Sequence, residues 1–125
     1  MKSVLLLAAC VAAGSAWAQR ADEEMSRVAD ECSARTQVVM RAQMMHNNWG
    51  TQAQAMEDVR DQVLSMPMIS TASSDTRRRA EKVARDLVAS VYANKRGKDP
   101  FTQSNAYRRS CLENPGTLIA VNITR

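Results

Sequence analysis

The sequence predicts an all-α fold, a small four-helix domain closed by a disulfide between Cys32 and Cys111 and followed by an extended C-terminal tail. Three observations carry this. Apolar residues recur at three- and four-residue steps in four segments separated by Gly, Pro and hydroxyl-rich punctuation. Two cysteines remain once an N-terminal export leader is set aside, an even number in a chain bound for an oxidising compartment. Apolar alternation of the strand type is confined to the C-terminal tail.

The first helix is expected from Ala21 to Trp49 and forms the spine. At about 100° per residue, Met25, Val28, Ala29, Cys32, Thr36, Val39 and Met40 share one arc, which turns Cys32 inward. A second stripe, Val38, Ala42, Met45 and Trp49, lies well round from Cys32, so the apolar arc widens toward the C-terminal end. A helix of that kind is central to a bundle or partly covered by another molecule. In the first case Met45 and Trp49 pack under a returning loop; in the second Val38, Ala42, Met45 and Trp49 form a partner face. Asp22, Glu23 and Glu24 are placed in the first turn, where acids complement the helix dipole, and Asn47, Asn48 and Gly50 end the helix.

Thr51 and Gln54 stand in capping-box spacing, Met56, Val59, Val63 and Met66 continue at helical intervals, and Pro67 stops the second helix. Residues 67–75 read as a loop, with Ser74 or Asp75 as the next cap. The third helix carries the clearest stripe: Ala80, Val83, Ala84, Leu87, Val88, Val91 and then Tyr92. Arg77, Arg78 and Arg79 crowd its first turns, against the dipole, and form a solvated face or a docking site for an acidic partner. After a basic turn over residues 94–99, Asp99 caps and Pro100 opens a fourth helix from which Phe101, Tyr107 and Cys111 can reach one core. Glu113 to Gly116 is a turn, and the tail alternates Ile119, Val121 and Ile123, an extended strap or a flexible end. Its sequon at Asn122 is discounted because the leader has a bacterial look.

Residues 1–18 hold Lys2, an apolar run and the small-x-small triplet Ala16, Trp17, Ala18, which predicts a signal peptide cleaved after Ala18. The lipobox-like Leu7 to Cys10 would leave too short an apolar run, so Cys10 is discarded with the leader rather than acylated. Residues 19–125 then form a single periplasmic or secreted domain with no integral membrane segment. Closing so long a loop through Cys32 and Cys111 stabilises by about 4.5 kcal/mol in the chain-entropy account.

Charge is divided along the chain. Residues 19–65 carry five arginines against eight acids, and residues 67–125 carry eleven bases against five acids. The two halves can attract one another within the bundle, leaving a positive side for an acidic surface. Nucleic acid is a poor partner, because the aromatics are not interleaved with the basic residues. Catalytic chemistry has no motif to rest on: His46 is the single histidine and reads as a hydrogen-bonded core or rim residue, and the carboxylate groups sit on solvent-facing helix positions. No catalytic residue and no cofactor is therefore assigned. Methionine is over-represented, and Met40, Met44, Met45, Met66 and Met68 are soft donors of the type used for Cu(I), provided that the Met66–Met68 loop converges on the first helix.

The leader, Asp30-Glu31-Cys32 near the mature start, Trp49-Gly50 before a capped helix, and Tyr107-x-x-x-Cys111 together resemble small exported helical proteins of Gram-negative bacteria. The resemblance implies a periplasmic helical domain with one cysteine pair and supplies no activity. The expected function is that of a non-enzymatic interaction protein, of inhibitor, immunity or chaperone type. It would bind an envelope or secreted protein through Val38, Ala42, Met45 and Trp49 or through Arg77, Arg78 and Arg79. The alternative is a Cu(I)-binding protein.

Overall fold

The computed structural model describes residues 2–116, with side chains described from position 19 onward except at position 68. Among these residues the chain is helical and contains no strand. Four long helices, α1 (Lys2–Asn47), α2 (Gln52–Ser65), α4 (Ser74–Ala93) and α5 (Pro100–Glu113), are joined by short connections, one of which holds the single-turn helix α3 (Pro67–Ser70). The expected tail strap and the Asn122 sequon lie outside the described residues.

The caps explain most of the boundaries. Thr51 and Gln54 close the reciprocal capping box at the start of α2. Ser73, rather than Ser74 or Asp75, caps α4, its hydroxyl accepting from the Thr76 N–H. Asp99 caps α5 through the Thr102 N–H with Pro100 at the first helical position, as the sequence predicts. Met66, just before Pro67, is driven to extended backbone, which ends α2; the proline then starts α3 inside the segment expected to be a loop.

α1 is the spine. It packs against α2, α4 and α5, while α4 also packs on α2. The core is built from Val38, Val39 and Ala42 of α1, Ala55, Val59 and Val63 of α2, Ile69 of α3, and Ala80, Ala84, Val88 and Val91 of α4. Its Val and Ala side chains let three helices approach closely. α5 contributes no buried residue to that cluster; Tyr107 leans on it, and Ser104 and Cys111 are buried against α1. The Cys32–Cys111 disulfide, with Cα atoms 5.8 Å apart, fastens the last turn of α5 to the spine. Beside it Arg35 pairs with buried Glu31 and donates from Nη1 to the Pro115 carbonyl at 3.1 Å.

Several expectations are corrected. In the uncleaved chain α1 begins at Lys2, so Asp22, Glu23 and Glu24 lie inside a continuous helix; they fall in a first turn only in a chain cleaved after Ala18. Met25 is exposed, because burial on α1 begins only at Glu31 and Cys32, where α5 reaches it. Phe101 is exposed as well: at the standard helical turn it stands about 80° round α5 from Cys111 and misses the face turned to α1. Val38 and Ala42 are buried core residues covered by neighbouring helices, so they cannot belong to a partner face.

Candidate functional site

The unusual local structure is at the end of α1. Gly50 N–H donates to the Met45 carbonyl at 2.8 Å and Trp49 N–H to the His46 carbonyl at 3.3 Å, which is the Schellman pattern of helix termination. In this motif the penultimate residue adopts the left-handed conformation and is ordinarily glycine. Here it is Trp49, at φ +64°, a conformation costing about 1–2 kcal/mol for an L-residue. Gly50, one position later, is required for a different reason: a Cβ there would stand 3.1 Å from the Met45 carbonyl oxygen.

A polar network holds that turn. Arg96 Nε–H donates to the His46 carbonyl at 2.8 Å, and its guanidinium carbon lies 3.6 Å from the Trp49 ring centroid. Asn47 donates from Nδ2 to the Lys98 carbonyl at 2.8 Å, and its Oδ1 accepts from Gly97 N–H at 2.7 Å and from buried Gln43 at 2.8 Å. Gly97 takes φ +93°, which this short basic loop needs to turn back on α1. His46 is buried, its Nε2–H donates to the Asn94 carbonyl at 3.0 Å, and its ring lies 4.3 Å from that of Tyr92. Its Nδ1 is buried without a hydrogen-bond partner. The Tyr92 hydroxyl shares its proton between the Gly50 carbonyl at 2.8 Å and that of Thr51 at 3.1 Å. Burial raises the pKa of Tyr92, with the positive charge of Arg96 working against it.

This network leaves Trp49 76% exposed, a large ring held outward in a strained turn. Next to it an open groove of about 610 Å³ runs between α1 and α2, lined by Met40, Met44, Met45 and Gly50. Its rim carries the Arg41–Asp58 pair, 2.9 Å apart, whose carboxylate raises the pKa of Arg41. Of the expected partner face, Met45 and Trp49 therefore remain at the surface, and Met40 and Met44 join them. Arg77, Arg78 and Arg79 are exposed, but toward the opposite end of α4 (Ser74–Ala93), roughly 20–25 Å along the helix from the end that meets Trp49. The two expected interaction regions do not converge.

The methionines divide in the same way. Met40, Met44 and Met45 line the groove beside Trp49, whereas Met66 packs against the core in a separate crevice with Val38, Val63 and Ile69. The side chain of Met68 lies outside the described residues. A Cu(I) site drawing on both groups is not assembled. Among the described residues no three His, Cys, Asp or Glu side chains are grouped to hold a metal.

Arg96 and Gly97 are the site residues that the sequence did not single out, and Asn47 is read from the sequence only as a helix stop. The available signal was the order Trp-Gly at a helix end, which puts a bulky residue where the left-handed turn falls. The chain matches no family model, no curated protein and no solved structure.

Proposed function

We propose that this is a non-enzymatic interaction protein of the periplasm or the secreted fraction, which binds another envelope protein through Trp49 and the methionine-lined groove beside it. The observation that supports this most directly is the conformation of Trp49. A left-handed backbone at an exposed aromatic residue, fixed by Arg96 and Asn47, holds a large apolar ring in solvent where it adds little to the core, and a role outside the fold accounts for it. Met40, Met44 and Met45, all from α1, supply an adaptable apolar wall for a partner's side chains. Aromatic anchors of this type dominate binding energy at protein interfaces.

The test uses Trp49→Ala with Met44→Ala, two exposed positions whose loss leaves the core intact. A partner recovered from envelope extract by the unaltered protein should bind the double variant at least about 30-fold more weakly. Equal recovery by both proteins rejects the surface. A second reading, a thioether site of Met40, Met44 and Met45 alone, rests on their sharing one groove. Titration with Ag(I) tests it, and saturation no tighter than that of a Met40→Leu, Met44→Leu variant rejects it.

A further inference from the structure

We infer that the end of the bundle carrying Trp49, the basic loop of residues 94–99 and the first turn of α5 is a docking surface for an anionic phospholipid bilayer. This goes beyond the protein-binding reading, since the methionine groove lies on the flank between α1 and α2 while these residues form the tip. The chain is poor in aromatics, with one Phe, two Trp and two Tyr. Among the described residues the exposed aromatics are Trp49 and Phe101, 76% and 68% accessible, and both belong to this end. Tyr92 and Tyr107 are by contrast half-buried against the core.

The loop that joins α4 to α5 at this end carries Lys95 and Arg96, both exposed, and the half-buried Lys98. Their loop is fixed rather than merely accessible: Asn47 binds the Gly97 N–H and the Lys98 carbonyl, and Arg96 is laid on Trp49. Of the acids at this end, Asp99 is turned into its own helix cap and Asp58 is paired with Arg41. Within residues 94–101 the tip therefore presents separate rings among three cations, Lys95, Arg96 and Lys98, against the single carboxylate of Asp99, a local excess of positive charge. That combination suits a membrane interface, where aromatic rings settle at headgroup depth and Lys and Arg meet lipid phosphate. A bilayer can use separate anchors of this kind, whereas a protein interface of typical size is a continuous patch of about 800 Å² per side.

The experiment is co-sedimentation of the protein in its exported form, residues 19–125, with vesicles of phosphatidylcholine, with and without about one-third phosphatidylglycerol. The apolar leader is left off because it would hold every variant on vesicles of either composition. Binding should require the anionic lipid and weaken as salt rises to about 0.5 M. Lys95→Gln with Lys98→Gln should lower the partition coefficient roughly 25-fold, and Phe101→Ser about tenfold, with helix content unchanged. Met44→Ala should leave it unaltered, which separates this surface from the groove. Binding indifferent to phosphatidylglycerol, or equal in the variants, overturns the inference. So does retention on polyglutamate as strong as on vesicles and insensitive to Phe101→Ser, which would mark an acidic protein surface instead.

Discussion

At the scale of single residues, Trp49 and Asp99 make opposite contributions that can be measured separately. Relief of the left-handed strain at Trp49 is worth about 1–2 kcal/mol, against about 0.5–1 for the lost Arg96 stack and a similar amount for the added freedom of glycine when unfolded. These nearly cancel. Trp49→Gly should therefore change stability by less than about 1 kcal/mol although it deletes the largest side chain at this end. Trp49→Val, which keeps the strain and loses the stack, should cost about 1–2 kcal/mol. Urea denaturation checks both, and a large loss in the glycine variant would make Trp49 a structural residue. Asp99 acts the other way. The hydroxyl and then the N–H of Thr102 hold its carboxyl below the ordinary aspartate range. The fold thus prefers the charged form, so the stabilisation is complete above the unfolded value near pH 4 and is lost as pH falls through the lower folded one. Asp99→Asn keeps a capping acceptor that cannot titrate. Its Tm should fall less steeply with acid than that of the unaltered protein below about pH 4, and parallel curves would remove Asp99 from the acid response.

At the scale of elements, the helices follow from local information and their covering does not. Capping box, Pro67, Pro100 and the stripe from Ala80 to Val91 are written in neighbouring residues, so α2, α4 and α5 were legible within a residue or two. The side of α1 that stays uncovered depends on where α5 and α2 stop. That is why periodicity points Met25 and Phe101 inward, where the bundle leaves both exposed, and leaves open whether Val38 and Ala42 are covered by helices or by a partner. The site was less legible still, since the Trp49–Arg96 stack and the Asn47 clasp join the end of α1 to a loop about 50 residues further along the chain. α5 lies along α1 in the most extensive pairing between two helices, yet it buries few side chains there. With Ser104 and Cys111 as its buried residues, it has little apolar area to hold it on α1. Reduction of the disulfide should release the 14 residues of α5 while α1, α2 and α4 stay folded. Amide exchange would show α5 losing protection first; uniform loss along the chain would mean that the disulfide supports the entire bundle.

At the scale of the molecule, this divides the protein into a three-helix body and a tethered fourth helix, with α1 common to both. The body is held by Val and Ala packing rather than by charge. Its cross-helix ion pairs, Arg41–Asp58 and Arg60–Glu81, are partly or largely exposed and contribute little each. Val59, fully buried between the helices, is a direct probe of the body. Val59→Ala removes about two methyl groups and leaves a small cavity, a loss of about 2–3 kcal/mol. Cys111, by contrast, contacts Cys32 on the spine and takes no part in the Val and Ala cluster. Perturbations that share no contacts add, so the cost of Val59→Ala should be the same before and after reduction to within about 0.5 kcal/mol. Equilibrium urea unfolding of both proteins, with and without reductant, gives the four values needed. A cost that shrinks by more than about 1 kcal/mol on reduction would show that the body has already loosened once α5 is free. α5 would then be part of the core that α1 organises rather than a helix fastened to its side.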